Sequence, residues 1–145
     1  MVIIAMIFYL TNWFLMFVHI RGRGTYSMLE WIGMHNTIFQ TAKDLGQNAI
    51  ALTDIYWLYG VVDFYTKAKS FEMKPLLGIE LPYTSHFSTL TLAKWTIKQL
   101  GTITLLVKDN IWYHNLLRIV WLAYENAVDE IPCIDSQILS QYSEW

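Results

Sequence analysis

Three short polar clusters hold the residue types from which a site can be built: His19-Ile20-Arg21-Gly22-Arg23, Thr53-Asp54 and Glu80. The tract Arg21-Gly22-Arg23-Gly24 has guanidinium and backbone N–H groups that can hold a phosphate, although two arginines alone are a weak signal. His35, His86 and His114 are scattered and form no ligand spacing, so they read as ordinary surface or packing residues. Ser27 has no partner base in sequence and reads as structural or capping. Cys133 is the single cysteine. It can form neither an internal disulfide nor a zinc knuckle, fits a reducing compartment and reads as inert.

Each cluster follows an apolar run of strand length. Residues 17–20 are apolar and β-prone, 48–53 (NAIALT) read as a buried strand, and 75–81 (PLLGIEL) as a second. Residues 102–107 (TITLLV) read as a third buried strand. Between them lie helical patterns. Ile38, Phe39, Ala42 and Leu45 recur at helical spacing over 35–45, with Gly46 as the stop. Residues 58–71 and 111–124 are amphipathic in the same way, and Asp135 is placed to cap a short helix ending at Tyr142. Residues 82–100 read as an irregular loop and then a helix over 92–100. Strands alternating with helices imply an α/β fold with a mostly parallel sheet, in a single domain. In such folds functional residues gather at the carboxyl ends of strands. All three clusters fall there. Strand ends are also polar in ordinary proteins, so placement alone leaves both a site and a plain polar rim open.

Composition narrows the classes. Of 145 residues, 54 % are hydrophobic and 15 % charged, against roughly 45–50 % and about 25 % in ordinary globular chains. That excludes a disordered chain. A net charge of −2 argues against a generally basic nucleic-acid binder. Residues 1–16 contain no charge. The run MVIIAMIFYLTNWFLMFV just reaches membrane-spanning length. As a signal peptide it lacks a basic start and a small-residue cleavage site. As an anchor it is followed by Arg21 and Arg23. The remaining reading makes Met16 the start, with residues 1–15 an apolar extension outside the working protein.

The clusters carry a family resemblance. FVHIRGRGTYSMLEW resembles the opening of a PHP (polymerase and histidinol phosphatase) domain, in the form found at the start of bacterial DNA polymerase III α-subunits. There the pattern runs roughly F-V-H-L-H-x-H-S-x-Y-S-L-L-D-G. ALTDIYWLYGVVDFYTKAKSFEMKPLLGIEL resembles the next block, A-L-T-D-H-x-N-L-Y-G followed by K-P-I-x-G-x-E. LLVKDNIWYHNLLRIVWLAY and PCIDSQILSQYSEW resemble the two blocks after it. The resemblance covers residues 16–145 in order, with the polymerase branch matched most specifically. It implies a partial PHP domain: the first half of a distorted β/α barrel, with unpaired strand edges and marginal stability.

Active PHP domains hold two or three metal ions, zinc or manganese, through His, Asp and Glu. Carried over residue by residue, the H-x-H pair falls on Arg21 and Arg23, and the histidine of T-D-H falls on Ile55. Asp54 and Glu80 remain, and His19 matches the residue before the pair. Arginine has no lone pair to give a metal. The resemblance thus implies a degenerate site at Arg21, Arg23, Asp54, Ile55 and Glu80, with no metal, no cofactor and no catalytic residue in this segment. Arg21 or Arg23 is expected to pair with Glu80 or Asp54, a guanidinium standing where metal charge would be.

For the whole protein the resemblance implies cytoplasmic DNA replication. DNA is copied by later, magnesium-dependent domains, and this segment supports them or contacts a proofreading or other replisome subunit. The other reading is a stand-alone PHP phosphoesterase with a reduced site. A membrane role enters only if residues 1–18 are a true anchor. Trp31, Trp112 and Trp145 fall where the family has glycine, and Trp57 and Trp121 where it has small or polar residues. Glycine there would permit positive φ. A common cause would be UGA codons that the organism reads as glycine.

Overall fold

A computed structural model describes residues 17–27, 34–84, 101–127 and 130–142. The apolar run over 1–16, the helix expected over 92–100, and His86, Trp31 and Trp145 lie outside the described residues.

The first helix, α1, is His35–Asp44 and turns His35, Phe39 and Ala42 inward. It stops as expected. Gly46 has φ +72°, its N–H reaches Lys43 O at 2.9 Å, and Gln47 N–H reaches Ala42 O at 2.9 Å. Those two bonds satisfy carbonyls that a helix end would otherwise leave free. Strand β1, Ala49–Ile55, is buried through Asp54. Helix α2, Val61–Ser70, turns Val61, Phe64 and Ala68 inward. It ends on the same pair of bonds, from Glu72 N to Lys69 O and Met73 N to Ala68 O. Here the left-handed position is Glu72, with φ 57°.

Strand β2, Lys74–Thr84, is longer than its apolar core PLLGIEL. Strand β3 is Gly101–Leu106. Helix α3, Asn110–Glu125, is capped by Asp109, whose side chain accepts from Trp112 N. The two-residue β4, Ile134–Asp135, leads into α4, Ser136–Gln141. Asp135 is the expected cap, accepting from Ile138 N at 2.9 Å.

The sheet runs β1-β2-β3, with β4 beside β2. β1 and β4 are parallel to β2, and β3 is antiparallel. Tyr83 pairs with Gly101 of β3 and with Ile134 of β4, so β4 continues the β1 edge. Three sequence expectations change. Residues 17–20 do not form a full strand: His19 makes a single parallel bridge to Ile50. Residues 102–107 do not form a buried strand, for β3 is mostly exposed. Its alternating Thr and aliphatic residues suit an antiparallel strand with one wet face. Asp54 lies inside β1 rather than after it, and Glu80 lies inside β2, which runs on to Thr84.

Side chains alternate along each strand. In the β1–β2 register, Leu52 stands opposite Leu77, Asp54 opposite Ile79, and Ile55 opposite Glu80. One face therefore carries Ile50, Leu52, Ile79 and Leu81. α1 and α2 cover its first half with Phe39, Ala42, Val61, Phe64 and Ala68. α3 and α4 cover the rest with Leu116, Ile119, Ala123 and Ile138. The other face carries Thr53, Ile55 and Glu80.

The backbone does not require glycine at Trp112. It is a residue of α3, and the positive-φ non-glycine residues among those described are Tyr56, Glu72 and Glu130. Trp57 stacks on Tyr59 at 5.0 Å and packs on Tyr124 at 5.1 Å, while Trp121 is 68 % exposed on α3.

Candidate functional site

The segment around Arg21 is laid along β1 by backbone bonds: Ala51 N donates to His19 O at 2.9 Å and Thr53 N to Gly22 O at 2.7 Å. This brings Arg21 and Arg23 over Glu80. Arg21 grips the carboxylate with two parallel bonds, Nε to Oε2 at 2.7 Å and Nη2 to Oε1 at 2.9 Å. Arg23 adds Nη2 to Oε1 at 3.0 Å. Its Nη1 donates to Thr53 O at 2.6 Å, and Thr104 Oγ1 stands 3.4 Å from Oε2. The two-pronged geometry is the strong form of a charge-assisted bond.

The partners differ in burial. Glu80 and Arg23 side chains are 5 % and 13 % exposed, whereas Arg21 is 62 % exposed. Burial works to raise the Glu80 carboxyl, but the bonds and charges of Arg21 and Arg23 outweigh it and hold the group below its ordinary value.

Asp54 lies on the opposite face. Its Oδ1 accepts from Gly24 N at 2.6 Å and from Ser27 Oγ at 2.6 Å. The structure thus brings Arg21, Arg23 and Glu80 together and leaves Asp54 apart from them. The cause is the two-residue period of the strand: Ile55, not Asp54, shares a face with Glu80. Ile55 presents a hydrocarbon there.

A strained turn follows β1. Tyr56 has φ 67°, and Trp57 N bonds Ile55 O across it at 2.9 Å, a tight and costly γ-turn. Two bonds brace it: Tyr56 N to Glu80 O at 3.1 Å, and Tyr124 OH to Tyr56 O at 3.1 Å. Burial first, then the neighbouring Tyr59 and Tyr56, push the Tyr124 hydroxyl up to about 12.

Other sequence candidates fall elsewhere. His19 lies in the bridge to Ile50, edge-on to Phe17. His114 bonds its own helix at Asn110 O. Cys133 is fully buried, and that burial, then Asp135, raises its thiol. His35 is a packing residue, 1 % exposed, with Nδ1 2.6 Å from Asp63 Oδ2. Asp63 also receives Lys67 Nζ at 2.9 Å. Lys67 first and His35 second hold the Asp63 carboxyl below its ordinary value. The Asp63 contact has no sequence signal, because a single acid on a helix does not reveal which buried side chain it meets. Among the described residues, no three His, Cys, Asp or Glu side chains are grouped to hold a metal ion, and no helix is long and apolar enough to cross a membrane.

The PHP domain family matches residues 19–145. The chain belongs to the PHP domain family. Its PHP segment is similar to the DNA polymerase III subunit alpha of Borreliella burgdorferi, 32 % identical over 128 residues, covering 88 % of this chain and 11 % of that protein. The subunit of Pasteurella multocida is 30 % identical over 128 residues, covering 88 % and 10 %. That of Treponema pallidum is 30 % identical over 129 residues, covering 88 % and 11 %. This PHP chain thus spans about a tenth of the length of these relatives. The mixed α/β fold with a mostly parallel sheet is consistent with part of a PHP domain.

Proposed function

We propose that this PHP chain is the opening part of a replicative DNA polymerase III α-subunit, and that its degenerate site does structural rather than hydrolytic work. Template-directed synthesis belongs, on this reading, to downstream domains with their own magnesium. The PHP part supports them in the cytoplasm and offers a surface to a proofreading or other replisome subunit. One observation carries the reading of the site: the Glu80 carboxylate has both oxygens engaged by Arg21 and Arg23. A divalent ion would have to displace two guanidinium groups to reach it. Two permanent cations at that place repel a metal, and the zinc or manganese of active PHP domains does not fit these residues.

The test is a phosphoesterase assay on the full chain, with a generic aryl phosphate and added manganese or zinc. The expected result is no metal-dependent turnover above the metal-only control. Metal-dependent hydrolysis that disappears in Glu80→Ala would overturn the structural reading and make this a stand-alone phosphoesterase.

A further inference from the structure

The two sides of the sheet end differently. Outside β1, residues 19–22 supply partners, through Ala51 N to His19 O and Thr53 N to Gly22 O. Outside β3, no strand lies among the described residues. Two bonds fix where the backbone groups of β3 point. Successive residues of a strand direct their N–H and C=O groups to opposite edges. Tyr56 N donates to Glu80 O at 3.1 Å, and Val107 N donates to Leu77 O at 2.7 Å. The backbone of Glu80 therefore faces β1, and that of Ile79, Leu81 and Tyr83 faces β3. Their partners in register are Leu105, Ile103 and Gly101. Thr102, Thr104 and Leu106 are left with both backbone groups directed away from the sheet. All three are exposed, Leu106 at 38 %.

Sheet edges are ordinarily guarded by charge, proline or a bulge. The tract GTITLLV over 101–107 holds neither a charge nor a proline. Its register with β2 runs without a skipped residue from Gly101 to Leu106, so no bulge turns the edge aside. Uncharged, β-prone segments of this kind pair with their own like.

We propose that the outer edge of β3 is a pairing surface for a second copy of this chain, the two strands running antiparallel about a two-fold axis at Thr104. In that register Thr104 meets its own counterpart, and Thr102 meets Leu106 of the other copy. Every outward N–H and C=O of the three residues then finds a partner. A register centred on Ile103 or Leu105 leaves one of the three out. The two Lys108 side chains fall at opposite ends of the paired tract, so like charges stay apart, and threonines directly opposite each other are a favourable pair. Ile103 and Leu105, packed against the cluster beneath α3, continue that apolar face from one copy to the other. The contact uses the same patch on both copies and closes on itself, giving a dimer rather than a fibre. So short a tract makes a small interface, and the dimer is a weak one that forms as concentration rises. This surface stands independently of the reading of Glu80.

The experiment is sedimentation equilibrium of the full chain over a range of concentrations, with amide hydrogen exchange read by NMR. The expected result is a monomer that becomes a dimer with rising concentration, with exchange slowing in step at the Thr102, Thr104 and Leu106 amides. The Ile103 and Leu105 amides, bonded to β2, stay slow throughout. Thr104→Lys sets two like charges opposite each other across the axis. It is expected to abolish the dimer and leave the far-ultraviolet circular dichroism unchanged. A chain that stays monomeric at every concentration would overturn the proposal. So would a dimer that survives in folded Thr104→Lys, because the contact then lies on another face. Outward amides already slow in the monomer would overturn it too, for the edge is then covered by its own chain. If Thr104→Lys does not fold, the concentration dependence of the three amides in the unaltered chain decides alone.

Discussion

Glu80 and Asp54 sit on adjacent strands, both nearly sealed from water, yet their surroundings differ in kind. Glu80 faces the side of the sheet away from α1 and α2 and is held by two cations that arrive from the same loop. Asp54 faces the helices and is held by a backbone N–H and a hydroxyl, both neutral. A buried carboxylate can be stabilised by charge or by fixed dipoles, and the failure modes differ. Removing the charge-held group takes a counter-charge from its cations. Removing the dipole-held group strands ordinary donors.

The largest expected effect comes from Glu80→Ala. It removes the buried carboxylate that Arg21 and Arg23 share, at a cost of about 3–5 kcal/mol. Denaturant unfolding of the variant against the unaltered chain measures it. Acid makes a reversible version of the same break. Because the folded Glu80 carboxyl lies below its ordinary value, its contribution is complete above about pH 4.3. It is lost as pH falls through the lowered folded value. Melting temperature should therefore drop in acid, and Glu80→Gln should flatten that limb.

Asp54→Ala is expected to cost less, about 1–3 kcal/mol, because the stranded groups are Gly24 N–H and Ser27 OH. Asp54→Asn, which keeps an acceptor oxygen, should cost less again. A loss for Asp54→Ala as large as that for Glu80→Ala breaks the comparison. Arg21→Gln is expected to be the mildest, below about 1 kcal/mol. Its side chain is 62 % exposed, and exposed ion pairs contribute little. A larger loss, read from the same unfolding curves, would mean that Arg21 and not Arg23 carries the pair.

Much of this is legible in the sequence. The helix patterns around Phe39, Phe64 and Leu116 locate α1, α2 and α3 because a buried stripe must recur with the helical period. Gly46 and Asp135 mark chain ends of helices by local chemistry alone. The residues Arg21, Arg23 and Glu80 could be singled out by type and place in the chain, and their side chains are in contact. What failed depended on neighbours. TITLLV looks buried by composition, but whether a strand is covered depends on what packs over it. Residues 17–20 look like a strand, but pairing needs a partner in register for more than one residue. Trp112 looked like a position needing positive φ, and the structure puts it in an ordinary helical turn.

Sequence by itself determined the family, the helix and strand periods, and the two arginines of the RGRG tract. Those are properties of residue type and spacing along the chain. Tertiary structure alone decided that Arg21 and Arg23 both close on Glu80, while Asp54 turns to the other face to meet Gly24, Ser27 and the neighbourhood of His35. Which face a side chain takes follows from strand register, and register is settled only when the whole sheet pairs.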